Sequence, residues 1–171
     1  MDALTEILDT PRLTLRQVAL SDSSFFVRLL NDRAWLENIG DRGVRSAADA
    51  EVYISNNIRA HYQTYGYGLY AVQLRAQAIP IGLCGLLKRD FLPAPDLGFA
   101  LLPEYVGEGY ACEAARGLLM HAERNLGITR LYAIVKRGNH RSISLLERLG
   151  FRHQGPSVLP DGEEIELYAI S

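Results

Sequence analysis

The sequence predicts an α/β fold in which a mixed, twisted sheet carries helices on both faces. Three observations favour this class: early segments alternate with the period of strands, later ones form a strand–helix–strand unit, and the composition is globular. The chain has 171 residues, of which 48% are hydrophobic and 22% are charged. This length is typical of one domain with a sizeable core, so we assign residues 1–171 to a single domain.

The first half of the chain supplies one strand and two helices. Residues 10–16 alternate leucine with polar residues, which predicts the first strand. The next helix has Ser21 or Asp22 as its cap. After a glycine-containing loop, residues 46–49 form a capping box, with serine at the cap and an acid three residues later. The helix that this box opens ends before Gly66.

The second half supplies most of the sheet. Further strands are predicted at residues 69–75, 81–87, 96–102, 131–135, 151–154 and 163–169. The main helix carries an apolar face with helical spacing, formed by Ala111, Ala115, Leu118, Ala122 and Leu126. Gly127 ends this helix, because glycine adopts the left-handed conformation without a Cβ penalty. The last helix is predicted at residues 140–149.

Composition limits the partners of the protein. A formal net charge of −2 gives no general attraction to nucleic acid or to an anionic membrane, and no apolar stretch is long enough to cross a bilayer. Residues 1–6 are acidic and lack the basic start of a signal peptide. Cys84 and Cys112 lack metal-type spacing, and the four histidines are scattered. We therefore expect a cytoplasmic protein without a metal, nucleic-acid or membrane partner.

The strand that ends at residue 102, the turn Gly107-Glu108-Gly109 and the following helix form a candidate anion site. The first N–H groups of a helix lack partners within it, and the helix dipole adds partial positive charge there. Glycines leave the backbone accessible to a phosphate oxygen. No lysine or arginine lies between residues 97 and 115, so backbone amides must hold any anion. An ordinary tight turn is the alternative interpretation of the glycine pair.

Nucleotide motifs fit this turn poorly. A Walker loop is excluded because no Gly-Lys-Ser/Thr follows. The dinucleotide pattern G-x-G-x-x-G fails at Cys112, where its third glycine should stand. That pattern also requires an acid at the end of the next strand, where this chain has Lys136-Arg137. A nicotinamide enzyme is therefore disfavoured, although a basic strand end suits a 2′-phosphate.

Two blocks of the sequence resemble the GCN5-related N-acetyltransferase (GNAT) superfamily. Residues 104–109 are similar to its acyl-CoA pyrophosphate loop, Q/R-x-x-G-x-G/A, and residues 109–115 read Gly-Tyr-Ala-Cys-Glu-Ala-Ala. Residues 139–151 resemble Asn-x-x-Ser-x-x-Leu-x-Glu-x-x-Gly-Phe of the branch that contains the ribosomal-protein alanine acetyltransferases. The blocks have the spacing of the family, and the resemblance extends over residues 10–168.

This resemblance implies the GNAT fold, a mostly antiparallel sheet whose strands at residues 96–102 and 130–136 splay apart around the pantetheine arm of acetyl-CoA. It implies main-chain contacts to the arm from Phe99, Ala100 and Leu101. It also implies contacts to the diphosphate from the N–H groups of Val106, Gly107, Glu108, Gly109, Tyr110 and Ala111. Asn139 and Ser142, at the start of the last helix, match residues that contact the pantetheine region.

The resemblance also implies an acyl-transfer site. Asp96 begins the strand beside the thioester, where the branch often carries glutamate, and is our candidate general base. The tyrosine that serves many relatives as general acid is replaced by Leu146, so Ser142, a water or another residue such as Tyr110 must protonate the thiolate, or it leaves unprotonated. Glu104 stands where the family has Gln or Arg, and we assign it no binding role. Trp35, Asn38 and Arg42, in the loop between the first two helices, are candidates to contact the acceptor.

We therefore predict an acetyl-CoA-dependent N-acetyltransferase that needs no metal and acetylates a primary amine, possibly a protein N-terminal α-amine, by direct attack in a ternary complex. The alternatives are a catalytically weak acyl-CoA-binding or regulatory module of the same fold and an NADP-dependent enzyme using the glycine turn. The acceptor is a small molecule or a protein N-terminus, and the protein is a monomer or a homodimer.

Overall fold

The computed structural model describes residues 4–171, which form one eight-stranded sheet with six α-helices. Residues 1–3, part of the acidic N-terminal segment, lie outside the described residues. The strands are β1 Glu6–Asp9, β2 Leu13–Arg16, β3 Leu69–Leu74, β4 Ile79–Leu87, β5 Asp96–Leu101, β6 Leu131–Lys136, β7 Arg152–Val158 and β8 Glu164–Ile170. The helices are α1 Ser23–Leu30, α2 Arg33–Asn38, α3 Ala47–Tyr53, α4 Ala60–Tyr65, α5 Tyr110–His121 and α6 His140–Arg148.

The sheet has the order β1-β2-β3-β4-β5-β6-β8-β7 and is antiparallel except between β5 and β6. These two parallel strands pair only at Asp96 and Tyr132, supported by a 2.9 Å hydrogen bond from the Tyr132 N–H to the Pro95 carbonyl. Beyond that point no strand covers the second edge of β5 within residues 4–171. The mixed α/β class and the splayed strand pair expected from the sequence are therefore confirmed.

The helix after the capping box forms as the sequence predicts. The Ser46 hydroxyl accepts the Asp49 N–H at 3.1 Å, and the Asp49 carboxylate accepts the Ser46 N–H at 3.2 Å, so both capping bonds are made. From this cap α3 continues through a π-helical segment, Ile54–Arg59, into α4. Gly66 ends α4 in the left-handed conformation with φ of 80°.

The main helix also follows its pattern. Ala115, Leu118 and Ala122 of the predicted apolar face are fully buried, and the helix packs against β1, β2, β4 and β5. Its last turn is π-helical, Ala122–Leu126, and Gly127 ends it with φ of 66°. At Gly117 the helix approaches the β1–β2 hairpin so closely that an added Cβ would lie 2.9 Å from Leu8. The absence of a side chain there permits this contact.

The start of α1 differs from the expectation. Asp22 occupies the cap position, but its carboxylate does not bond the helix. Instead the carboxylate forms a bidentate ion pair with the Arg16 guanidinium, in which both hydrogen bonds are 2.9 Å long. It also accepts the Ala19 N–H. The two side chains are only 4% and 6% exposed. A buried pair of this kind costs about 3–5 kcal/mol when one partner is removed, so Asp22 anchors α1 to the sheet.

Two elements were not predicted. Strand β1 pairs with β2 at the edge of the sheet, and α2 lies where the sequence indicates a loop. Asp32 caps α2 by accepting the Ala34 N–H at 3.2 Å. Both elements are short, and short segments carry too few periods for a pattern to show. No helix formed by residues 4–171 has the length and apolar character needed to cross a bilayer.

Candidate active site

The glycine turn presents a row of main-chain donors at the start of α5. After β5, a 3-10 turn, Pro103–Tyr105, leads to Gly107 and Gly109, whose φ angles are 90° and 83°. The Val106 N–H, which we expected to contact the diphosphate, instead donates to the Pro103 carbonyl at 3.3 Å and closes the 3-10 turn. Within residues 4–171, the N–H groups of residues 107–111 have no acceptor. Adjacent unpaired donors at a helix N-terminus form an anion site.

The two glycines are required for different reasons. Both have positive φ angles, which residues with a Cβ adopt only at a cost. A Cβ at Gly107 would meet nothing within 4 Å, so the space beside it is open. A Cβ at Gly109 would lie 3.4 Å from the Arg12 guanidinium. The loop thus has one open side and one side covered by Arg12.

Arg12 brings to the loop a cation that residues 97–115 do not contain. It lies in the β1–β2 turn, about 100 positions earlier in the sequence, and its Nη1 donates to the Glu108 carbonyl at 3.0 Å. Its Nε donates to the Glu113 carboxylate at 2.8 Å, and its guanidinium stacks over the Tyr110 ring, 4.3 Å from the centroid. The local stretch contains no sign of this residue, because the contact arises from tertiary packing.

The acids beside the loop are bonded away from it. Glu113 accepts hydrogen bonds from the Thr10 hydroxyl at 2.5 Å and from the Arg12 main chain at 2.9 Å. Burial raises the pKa of Glu113, but these bonds and the one from the Arg12 side chain outweigh burial and leave that pKa lowered. Glu104 forms an ion pair with Arg28 of α1. Neither carboxylate therefore opposes an anion at the loop amides.

The open edge of β5 begins where the loop begins. In an antiparallel pair, successive residues of a strand point their main-chain groups to opposite neighbours, and the Leu102 N–H donates to the carbonyl of Ile81 in β4 at 2.8 Å. By this alternation the main-chain groups of Ala100 also point to β4, whereas those of Phe99 and Leu101 point to the uncovered edge. The expected main-chain role therefore does not hold for Ala100, which is already paired with Leu83, and fits the other two residues.

The other end of β5 holds a buried carboxylate. Asp96 is 2% exposed and accepts a 2.8 Å hydrogen bond from the Nε of Arg89. Burial raises the pKa of Asp96, and the charge of Arg89 opposes that shift. A carboxylate with a raised pKa is a better proton acceptor near neutral pH than an exposed one. The sequence position of Asp96 was predicted, but its partner in the 88–95 loop was not.

His61 joins three elements near Asp96. Its Nδ1 bonds the Tyr67 carbonyl at 2.6 Å, and its Nε2 bonds the Lys88 N–H at 3.0 Å. A carbonyl only accepts and an N–H only donates, so these partners select the neutral tautomer with the proton on Nδ1. His61 is thereby a fixed link between α4, the segment before β3 and the end of β4.

The three residues predicted to contact the acceptor lie in different environments. Burial raises the pKa of Tyr53 in α3, and the charges of Arg42 and Arg89 oppose that shift. Trp35 and Asn38 lie in helix α2, not in a loop. The Trp35 side chain is 7% exposed and belongs to the core, and Asn38 is exposed. Arg89, which acts on the same tyrosine as Arg42, also bonds Asp96.

Helix α6 borders the opposite side of the gap. The Asn139 side chain caps it by accepting the Ser142 N–H at 3.4 Å, and Ser142 is half-buried. Leu146, one turn later, is 1% exposed and packs in the core. The basic end of β6 is largely occupied: Lys136 bonds the Glu37 carbonyl at 2.6 Å, and Arg137 pairs with Glu166 at 3.2 Å. Among residues 4–171, His, Cys, Asp and Glu side chains form no cluster suited to a metal.

Comparison with known proteins identifies the family. The model of the Acetyltransferase (GNAT) domain matches residues 12–152, which is most of the chain. The N-acetyltransferase p20 of Bacillus licheniformis is 28% identical over 174 aligned residues, covering 97% of this chain and 95% of p20.

Solved structures have the same fold. An acetyltransferase from Agrobacterium tumefaciens str. C58 aligns with a TM-score of 0.81 at 24% identity, covering 100% of this chain and 96% of that protein. RimL, the ribosomal L7/L12 alpha-N-protein acetyltransferase, solved in complex with coenzyme A, aligns with a TM-score of 0.80 at 21% identity and 96% coverage of each chain. The eight-stranded sheet with its splayed pair is thus shared with acetyltransferases.

Proposed function

Since the chain belongs to the GNAT acetyltransferase family, we propose that this N-acetyltransferase moves an acetyl group from acetyl-CoA to a primary amine by direct attack in a ternary complex. The observation that carries the proposal is the row of N–H groups at residues 107–111, which find no acceptor in the described part of the chain, residues 4–171, and lie at the end of the β5 edge that no described strand covers. Acetyl-CoA supplies the acetyl group as an activated thioester.

The residues around the gap fit a coenzyme that carries phosphate at one end and an extended arm at the other. The open space beside Gly107 admits a phosphate oxygen to the main chain. The free main-chain groups of Phe99 and Leu101 can pair with an extended arm as with a further strand, and one of their N–H groups can polarise a carbonyl. Asn139 uses its side-chain oxygen for the helix cap, which leaves its NH₂ group to donate.

Asp96 is the proposed general base. Deprotonating an α-amine at pH 7 costs about 1–1.5 kcal/mol, whereas a lysine amine costs about 4.6 kcal/mol. A carboxylate with a raised pKa can accept the proton of an α-amine directly or through one water. This difference supports an α-amine as the acceptor, such as the N-terminus of a peptide, in keeping with the function in the name of RimL.

Ser142 is the proposed proton donor for the departing thiolate, directly or through a water. Leu146 cannot serve, since it is apolar and lies in the core. Tyr110 is less suited, because its ring lies under Arg12 at the phosphate end of the site. Arg42, with Tyr53 and Arg89, lines the acceptor side, and Trp35 and Asn38 support it from α2.

An amine panel tests this function. The protein is incubated with acetyl-CoA and either peptides with free N-termini, N-terminally blocked lysine peptides, amino acids, or polyamines, and free thiol is measured. We expect release with at least one α-amine acceptor and faster turnover for α-amines than for blocked lysine peptides. Binding of CoA without release on any amine would favour a module with little activity, which the buried Leu146 makes the second candidate.

A ligand titration tests the donor. A compound that binds only the folded state raises the melting temperature, so CoA should raise it and NADPH should not. The mostly antiparallel sheet supports this expectation, because dinucleotide-binding folds use a parallel sheet. A rise with NADPH and none with CoA would contradict the proposed function.

A further inference from the structure

We propose that Arg12 is a positioning residue for the donor-binding loop at residues 106–111: its guanidinium holds the Glu108 carbonyl and the Glu113 carboxylate together and thereby aims the loop amides at the diphosphate. The inference rests on the proposed function, because it assigns a cause to the affinity for acetyl-CoA. It concerns a residue of the β1–β2 turn that reaches the site only through tertiary packing.

The orientation of one peptide group carries the argument. The Glu108 carbonyl and the Gly109 N–H belong to the same trans peptide, so they point in opposite directions. Because Arg12 Nη1 holds that carbonyl at 3.0 Å, the Gly109 N–H is directed away from Arg12. This plane rotates about ψ of Glu108 and φ of Gly109, and Gly109, at a φ of 83°, has no side chain to restrict that rotation. Without Arg12, this peptide plane has no partner that fixes it within residues 4–171.

Arg12 is itself held in place from several sides. Its N–H donates to Glu113 at 2.9 Å, and its carbonyl accepts the Arg75 N–H from the residue after β3 at 3.0 Å. The Thr10 hydroxyl bonds the same Glu113 carboxylate. Close packing of the hairpin on Gly117 of α5 prevents the turn from moving away. The guanidinium is thus a fixed reference for the loop.

The groups around the Arg12 guanidinium indicate that it positions the loop and does not bind a phosphate directly. Glu113 lies against the guanidinium at 2.8 Å and compensates its charge. Tyr110 covers one face of the guanidinium, and Nη1 is committed to the Glu108 carbonyl. A lysine cannot replace this arrangement, because only the arginine fork reaches two acceptors at a fixed angle.

The test compares donors with and without a diphosphate. The variants are Arg12→Gln, Arg12→Lys and, as a matched control, Arg75→Gln, which removes a cation that bonds Thr10 of the same turn at 2.9 Å but does not touch the loop. Steady-state kinetics are measured with acetyl-CoA and with acetyl-pantetheine, which has the arm but no diphosphate. CoA affinity is measured by calorimetry at several salt concentrations, and folding by thermal unfolding.

For Arg12→Gln we expect KM for acetyl-CoA and Kd for CoA to rise about tenfold, the effect of one lost hydrogen bond to a charged group. We expect kcat, and kcat/KM for acetyl-pantetheine, to stay within about twofold, because neither uses the diphosphate. Arg12→Lys should recover little of the loss, and Arg75→Gln should bind CoA as the wild type does.

Three results would overturn the inference. The first is unchanged CoA affinity in Arg12→Gln, and the second is an equal loss with acetyl-pantetheine, as general damage to the fold would produce. The third is a weaker salt dependence of CoA binding, which would make Arg12 a direct phosphate ligand. If the wild type itself does not bind CoA, the proposed function fails together with the inference. If the wild type binds CoA and the Arg12 variants bind it equally well, only the inference fails.

Discussion

The donor loop and the acceptor side of this protein are built in opposite ways. In the proposed function the donor loop takes its binding groups from one stretch, the main-chain amides of residues 107–111. The proposed acceptor side would combine side chains from separate segments: Arg42, Tyr53, Arg89 and Asp96. A site made of consecutive amides depends on backbone conformation, whereas a site made of dispersed side chains depends on packing. Substitutions should therefore separate the two.

The electrostatics differ as well. Near the donor loop, Glu104 pairs with Arg28 and Glu113 pairs with Arg12. These ion pairs offset the carboxylate charges, so the loop amides keep their attraction for an anion. On the acceptor side the carboxylate of Asp96 is buried and forms an ion pair with the partly exposed Arg89. Burial raises the pKa of Asp96, which suits its proposed role as a base, while the ion pairs at the loop offset the charge of Glu104 and Glu113.

The largest effect is expected for Asp96→Asn. Loss of a general base lowers kcat by about 100-fold or more, whereas Kd for CoA should change less than about twofold, since the donor loop is intact. Asp90→Asn, an exposed acid of the same loop region, is the matched control and should keep wild-type turnover. Undiminished turnover in Asp96→Asn would remove Asp96 as the base.

Gly109→Val should give the next largest effect, and this effect should be on CoA affinity at the donor loop. A branched residue at φ of 83°, against Arg12, distorts the loop, so Kd for CoA should rise by roughly 10- to 100-fold. Gly162→Ala is the control, because Gly162 also has a positive φ, at 92°, but lies in the β7–β8 turn. Equal CoA affinities in calorimetry for Gly109→Val and the wild type would contradict the loop assignment.

Arg89→Gln should move the pH dependence without changing the donor loop. Asp96 acts as a base when ionised, so kcat falls as pH drops through its pKa. Arg89 holds that pKa down against burial, so removing Arg89 should shift the acidic limb of the pH–rate profile to higher pH. A limb that stays in place would show that another group titrates.

Arg89→Gln should also change how the free energy of unfolding depends on pH. Because burial raises the folded-state pKa of Asp96 above its unfolded value, the folded protein binds more protons between these two pKa values. The free energy of unfolding therefore decreases as pH rises through that window, and Arg89→Gln should extend the decrease to higher pH. Urea unfolding at several pH values, compared with Arg116→Gln as an exposed control, measures this slope.

Glu104→Gln should have the smallest effect. Glu104 stands where the family carries glutamine or arginine, but its carboxylate is exposed and pairs with Arg28 away from the amides. Exposed ion pairs contribute little, so Kd for CoA should stay within about twofold of the wild type. A large gain in affinity would mean that Glu104 opposes the diphosphate.

Features that depend on neighbouring residues could be predicted from the sequence, whereas features that depend on packing could not. The glycine turn, the capping box at residues 46–49 and the end of α5 at Gly127 were predicted correctly, because each depends on residues adjacent in sequence. Strand β1 and helix α2 were missed, since short elements form through their neighbours. Trp35 shows the difficulty at the site: its presence is evident from the sequence, but its burial in the core is not.

The sequence alone determined the family resemblance, the α/β class and the position of the donor loop, because backbone conformation at glycines and helix starts is set locally. Only the tertiary structure decided which side chains surround that loop and Asp96. Arg12, Arg28 and Arg89 each meet an acid in another element of the fold. Ion pairs act over a few ångströms whatever the sequence separation, so the charge of each site is fixed only when the chain is folded.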